Sequence, residues 1–267
     1  VNTRLKAEAK LERIGTVLRS IVALYRLSPE QVDAFLGAYA LFDGDWSNDN
    51  GKEEAQLKDY YSVLNHLCTI GHVEKMYIPP AIDISAGVFG NQRLFERKMT
   101  DDLGIKNGHR VLDIGCGRGR VAHHVASMTN AKVTGINLDP VQVRDARQYS
   151  RARGRADQCT FIQASLNDQL PFENGSFDAC YQIQAFSYAK DTKKVLAEVF
   201  RVLEPGAKFS YLDWVFLDGY NPNDSYHVDL LNRVKPLIGA VDTPTPDKIC
   251  GFMQEVGFDI LFSEDVR

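Results

Sequence analysis

No apolar run in this 267-residue sequence approaches the ~20 residues that a membrane-crossing helix needs, and the N-terminus lacks the apolar core of a signal peptide. A soluble or peripheral protein is expected. There is no Lys/Arg block longer than a pair and the net charge is −4, so the dense phosphate contacts of a nucleic-acid binder are not supported. The five cysteines (Cys68, Cys116, Cys159, Cys180, Cys250) are odd in number and form no CxxC pair. Free thiols in a reducing, cytoplasmic compartment are expected. The acidic stretch from Asp43 to Gly51 lacks the final Glu of a calcium hand, and His66 and His72 have no partner carboxylates, so no metal site is expected. Internal repeats and low-complexity segments are absent too. The start at Val1 suggests a trimmed N-terminus.

What remains is ordinary globular composition, 44% hydrophobic and 25% charged, in a chain long enough for one large domain or a domain with a cap. Leu11, Ile14, Leu18, Ile21 and Tyr25 recur at helical spacing among charged residues. Such a stripe suits packing on its own protein, and peripheral contact with an internal membrane is the alternative. Ser28-Pro29-Glu30-Gln31 predicts a helix start: Ser28 caps, Pro29 fits the first turn and Gln31 closes a capping box. Val32, Phe35, Leu36 and Tyr39 give that helix a core face. A third helix is predicted over 52–67. Pro79-Pro80 breaks the helical pattern, and the boundary between a helical cap (1–85) and the main domain (86–267) is placed just beyond it. After a helix over 91–103, strands and helices alternate, which predicts a parallel sheet with right-handed crossovers. The predicted strands are 111–114, 132–136, 160–163, 177–182, 207–214 and 258–263.

The most informative stretch is Arg110 to Val121, RVLDIGCGRGRV. Val111, Leu112 and Ile114 suit a strand buried on both faces, and Gly115, Gly117 and Gly119 turn it into a helix. Such a turn lets backbone approach a cofactor without Cβ interference. Nicotinamide enzymes keep this turn free of acid because a pyrophosphate sits there, whereas Asp113 would repel one. A cation with an amino-acid head suits it better, and S-adenosylmethionine is such a ligand.

With this motif the chain resembles the class I methyltransferases, which implies a Rossmann-like α/β fold. Further stretches resemble one branch, the sterol C-methyltransferases: VTGIN ending at Asn137, EVFRVLEPG over 198–206, Tyr211-Leu212-Asp213-Trp214-Val215, Asp218-Gly219-Tyr220-Asn221 with His227, Val256-Gly257-Phe258 and Ser263-Glu264-Asp265. The resemblance runs from about Asn91 onward. Three departures stand out. Met76-Tyr77-Ile78-Pro79-Pro80 replaces an aromatic-glycine segment, Gln184 and Tyr188 stand where that branch has an acid and a His, and Ser165 replaces an acid near the adenine. The fold's antiparallel last strand would lie beyond Arg267.

The resemblance implies S-adenosylmethionine as cofactor and S-adenosylhomocysteine as its product. Asp113, Gly115, Cys116, Gly117, Gly119, Asn137, Leu138, Gln142, Ser165, Leu166 and Gln182 are the expected cofactor residues. It implies C-methylation of a sterol or related terpenoid, on the side chain or at ring carbon 4. Tyr77, Phe89, Phe186, Tyr211 and Trp214 would face that apolar substrate, because aromatic faces stabilise a carbocation. Asp213, His227, Tyr188 and Gln184 are the catalytic candidates, with Asp213 the first choice as base, since burial raises a carboxylate toward a useful range. A small-molecule N- or O-methyltransferase, or a non-catalytic cofactor-binding subunit, are the alternatives. A homo-oligomer is compatible with the pattern.

Overall fold

The computed structural model describes residues 14–15, 17–42 and 53–266. The loop expected over 43–51 and the first part of the helix expected around Leu11 lie outside the described residues. The element order is α1 (17–25), α2 (Pro29–Gly37), α3 (Glu53–Ile70), α4 (Gly87–Leu103), β1 (Arg110–Ile114), α5 (Arg120–Thr129), β2 (Lys132–Asn137), α6 (Pro140–Ala152), β3 (Cys159–Gln163), β4 (Phe177–Ile183), α7 (Thr192–Val202), β5 (Leu203–Leu212), α8 (Ser225–Ile238) and α9 (Pro246–Val256). Five strands form one sheet in the order β3-β2-β1-β4-β5, every pair parallel. This is the alternating pattern expected of the sequence, and it places the carboxyl ends of all strands on one edge.

Local signals start several of these helices. Ser28 accepts the Gln31 N–H while the Gln31 side chain accepts the Ser28 N–H, a complete capping box, and Pro29 takes the first turn. Asp139 caps α6 ahead of Pro140, Asp191 caps α7, Asp224 caps α8 and Thr245 caps α9. Gly104, left-handed at φ 66°, ends α4 as its position suggests. That helix starts four residues earlier than its apolar spacing indicates, at Gly87.

β1 is buried on both faces. Val111 joins the core under α4 and α5 with Met99, Leu103, Val125, Phe161 and Tyr181. Leu112 and Ile114 join the opposite core with Cys180, Leu196, Val199 and Val202. A third cluster, Leu41, Phe42, Leu57 and Tyr60, takes in Tyr188 and Val241, so the N-terminal helices pack over the carboxyl edge of the sheet. All five cysteines are free. Among the described residues no helix is long and apolar enough to cross a membrane.

Two expectations fail. Residues 258–263 form no strand: among the described residues β5 pairs only with β4, and without a ladder partner an extended segment stays irregular, with Leu261 and Phe262 exposed. Of the N-terminal stripe, Ile14, Leu18, Ile21 and Tyr25 are exposed and so do not pack on the described residues, Leu11 lies outside them, and it is Ser20 that is buried, near His66. On α2, Val32 and Leu36 are exposed likewise, whereas Phe35 stacks on Tyr60; Tyr39, just beyond the helix, meets Tyr60 edge-on but is also exposed.

Candidate active site

The turn after β1 has the geometry its glycines allow. Gly115, Gly117 and Gly119 have φ of 73°, 52° and 70°, values in the left-handed region that side chains rarely adopt. A Cβ on Gly115 would lie 2.4 Å from the Cβ of Ala185, and one on Gly119 2.6 Å from the Phe161 ring. The loop is therefore wedged against both β4's exit and β3. Beside it opens a cleft of about 1140 Å³, part of it continuous with solvent. Its wall contains Asp113, Gly115, Cys116 and Gly117 from the turn, Asn137, Leu138 and Gln142 from β2 and α6, and Ser165 and Leu166 after β3. Nine of the eleven expected cofactor residues thus meet in one cavity.

The other two serve the scaffold. Gly119 begins α5 and lets it approach Phe161 and Ala146. Gln182 is fully buried, donating to the Leu212 carbonyl and accepting the Ala185 N–H, so it joins β4, β5 and the segment that follows.

Asp113 is a buried carboxyl in the wall of the cleft. Register places it level with Tyr181 on β4, whose hydroxyl donates to its Oδ2 at 2.9 Å. Burial pushes its pKa up to about 7; the Tyr181 bond lowers it and the charge of Glu96 raises it. A desolvated carboxylate with one donor in a cavity wall favours a cation beside it. That donor set fits the ammonium end of S-adenosylmethionine. At the other side of the cleft the amide of Asn137 donates to Gln142 at 2.8 Å, Gln142 donates to Asn65 at 3.0 Å, and Asn65 donates to the capping carboxylate of Asp139 at 2.9 Å. Ser165 donates to Glu54 at 2.6 Å. Asn65 and Glu54 lie on α3, so the cap fixes the polar groups that would hold the ribose and adenine.

Of the catalytic candidates, Tyr188 and Gln184 line the cleft. The Tyr188 hydroxyl lies 3.1 Å from that of Tyr61, and burial raises its pKa well above the ordinary value. Gln184 has φ 52°, and its amide makes both hydrogen bonds to the Ile78 backbone, at 3.1 and 2.9 Å. It is a clamp on the segment passing over the cleft. Asp213 does not reach the cleft. Its carboxyl accepts the N–H groups of Phe186 and Trp214, each at 2.9 Å, and burial pushes its pKa up to about 7 against those bonds. His227 lies in a separate crevice on α8, stacked with Tyr220 and accepting the Asn221 N–H at 3.0 Å.

Among the expected substrate residues, Tyr77 alone lines the cleft. Phe186 and Tyr211 pack edge-to-face in the core on the α7 side. Trp214 follows Asp213 outside the cleft, its Nε1 buried without a partner among the described residues. Phe89 is exposed on the first turn of α4. Aromatic residues at the end of a parallel strand alternate between cleft and core, and composition does not say which face a given one takes.

Sequence reasoning missed Glu54, Asn65, Tyr61, Lys75 and Glu96. Each reaches the site from a helix or strap distant in sequence, and none carries a local motif.

Residues 111–206 match a family described as a methyltransferase domain. The sterol 24-C-methyltransferase of Yarrowia lipolytica is 34% identical over 171 residues, 64% of this chain and 45% of that protein. Cycloartenol-C-24-methyltransferase 1 of Oryza sativa subsp. japonica is 26% identical over 248 residues, 90% of this chain and 71% of the rice protein. The matches span about half the length of several of the curated relatives. Among solved structures, the [4+2]-cyclase SpnF superposes with a TM-score of 0.67 at 23% identity, covering 79% of this chain and 74% of that one, a likeness of fold. With an acid-tipped glycine turn, the sheet that presents it and these relatives, the chain carries a class I S-adenosylmethionine-dependent methyltransferase domain that resembles the sterol C-methyltransferases.

Proposed function

We propose that the chain transfers the methyl group of S-adenosylmethionine to a carbon of a sterol or related terpenoid. The observation that carries this reading is the likeness to sterol methylating enzymes, which in the rice relative extends over 90% of the chain and so includes the cap that roofs the cleft. In this reading residues 1–85 form the cap and 86–267 the methyltransferase domain. Asp113 takes the ammonium end, while Gly115, Cys116 and Gly117 admit the cofactor's backbone. Asn137, Leu138 and Gln142, with Ser165 and Leu166, take the nucleoside end.

When bound, the cofactor would supply an electrophilic methyl, and the chain's part would be to align an acceptor π bond with that carbon and to face the positive charge the acceptor gains. Tyr61, Tyr77 and Tyr188 are the cleft's aromatic residues nearest in role to such a charge, since a ring face stabilises a cation. Asp213 acts one layer back: by accepting the Phe186 N–H it holds the 186–188 turn that presents Tyr188. His227 has no part in this reading.

Incubating the chain with methyl-labelled cofactor and a panel of sterols and terpenoids, then locating the label by mass spectrometry, tests it. A labelled carbon on a sterol or terpenoid supports the reading. Label on an oxygen or nitrogen, or tight cofactor binding without transfer to any acceptor, replaces it with one of the alternatives.

A further inference from the structure

We propose that Glu96 is a positioning residue of the methyl-transfer site: it anchors the Lys75–Tyr77 strap along the part of the cleft that takes the cofactor's methionine end. The proposal rests on S-adenosylmethionine as cofactor and not on the identity of the acceptor.

Glu96 is fully buried on α4, and three groups from two other elements converge on it. Lys75 Nζ lies 2.6 Å from both carboxylate oxygens, the Tyr77 hydroxyl donates to Oε1 at 2.6 Å, and His124 on α5 bonds Oε2 through Nδ1. One turn earlier on the same helix, Gln92 donates to the carbonyls of Lys75 and Tyr77 at 3.2 and 2.9 Å, and its own carbonyl accepts the Tyr77 hydroxyl. The strap is thus held by side chain and backbone at alternate residues, and Gln184, just beyond β4, holds the next one, Ile78. Both Lys75 and Tyr77 line the cleft together with Asp113.

A buried ion pair is a poor way to add stability, because desolvation offsets most of its attraction; its use is to fix one arrangement. Here the arrangement fixed is that of two cleft-lining side chains on a segment without regular structure. Burial alone would push the Glu96 carboxyl up, but the bonds from His124, Lys75 and Tyr77 hold it below the usual range, so it is ionised and its charge is felt at Asp113. The ionisable groups around Asp113 are Tyr181 on β4, Cys116 on the turn, Cys159 on β3 and Glu96 on α4, with Glu74, Lys75, Arg118 and Arg120 sharing the cleft wall; Lys75, Tyr77 and His124 face Glu96 itself.

The test uses the whole chain without an acceptor. Amide hydrogen exchange of residues 74–78 and calorimetric titration of S-adenosylmethionine between pH 5.5 and 8.5 are compared for wild type, Glu96→Gln, Tyr77→Phe, and Glu198→Gln as a control in a distant ion pair. In Glu96→Gln, exchange of the strap and the cofactor Kd each rise about tenfold, the loss of one charged hydrogen bond. The midpoint of the pH dependence of Kd moves to lower pH, because one negative charge facing Asp113 is gone; a purely structural residue would not move it. Glu198→Gln changes none of these. A strap as protected as in wild type, or a loosened strap with unchanged Kd, overturns the proposal. If Glu96→Gln does not fold, Tyr77→Phe and Gln92→Met decide: both keep the charge and are expected to loosen the strap and weaken binding about tenfold, the first by losing the hydroxyl's bond to the Glu96 carboxylate and the second by losing two bonds to strap carbonyls. Unchanged exchange and Kd in that pair overturn the proposal equally.

Discussion

Asp113 and Asp213 are both pushed up to about 7 by burial, and their surroundings give them different parts. Asp113 lines the cleft and has one hydroxyl donor, so a bound cation supplies what burial took away. Below its pKa it is neutral and attracts that cation less. The affinity for S-adenosylmethionine is therefore expected to weaken as pH falls from about 7 to 5.5, by up to about tenfold per pH unit for one linked proton, and calorimetry across that range measures it. Asp113→Asn is expected to bind weakly at every pH, with the dependence gone. Asp213 accepts two backbone N–H groups and sees no cleft. Its folded pKa lies above the ordinary carboxylate value, so its ionisation costs stability above about pH 7 and costs nothing below about pH 4. Asp213→Asn, which stays neutral, is expected to lose less stability relative to wild type at pH 8 than at pH 5, by a difference on the order of a few kcal/mol. Urea unfolding at the two pH values checks this, and an equal deficit at both would refute it. At Gly115 the constraint is steric. Ala there meets Ala185 at 2.4 Å in a strained backbone conformation, and a loss of at least about 2 kcal/mol in unfolding free energy is expected together with loss of cofactor binding.

At the scale of elements, the site depends on how α3 lies across the sheet's carboxyl edge. Asn65 bridges Gln142 at 3.0 Å and Asp139 at 2.9 Å, so one side chain from the cap ties down both the polar partner of Asn137 and the N-cap of α6. Replacing Asn65 with Ala leaves two buried partners short of a bond. A cost of about 1–3 kcal/mol in unfolding free energy is expected, with weaker cofactor binding, measured by urea denaturation and titration on the same variant. The starts of α2, α6 and α9 were legible in sequence because a cap, a proline and the next turn are contiguous. The same holds for β1 and its glycine turn. Residues 258–263 were not legible as irregular, because an apolar run fits a strand whether or not another strand stands beside it. Gln182 and Phe186 are expected in the site for a similar reason: they lie at and just beyond the carboxyl end of β4, but the pleat and the 186–188 turn direct them into the scaffold.

For the whole molecule, cofactor binding and folding are linked, since the cap, the glycine turn and the strap meet only in the folded chain. Saturation at one hundred times Kd is expected to add about 2.7 kcal/mol and raise Tm by roughly 5–10 °C, as read by thermal denaturation with and without S-adenosylmethionine. An unchanged Tm at saturation would contradict a preformed site. The sequence by itself determined the parallel sheet, the glycine turn with its acid, and the chemistry of the cofactor, because each is written in residues adjacent along the chain and governed by local backbone and charge. Only the tertiary structure decided which side chains share the cleft. Glu96 is one acid among many on helical spacing until Lys75, Tyr77 and His124 converge on it. Asp213 looks like a base until its carboxyl is found on the backbone of Phe186 and Trp214. Such assignments depend on distances between elements far apart in sequence, and those distances are set by packing across the sheet's edge.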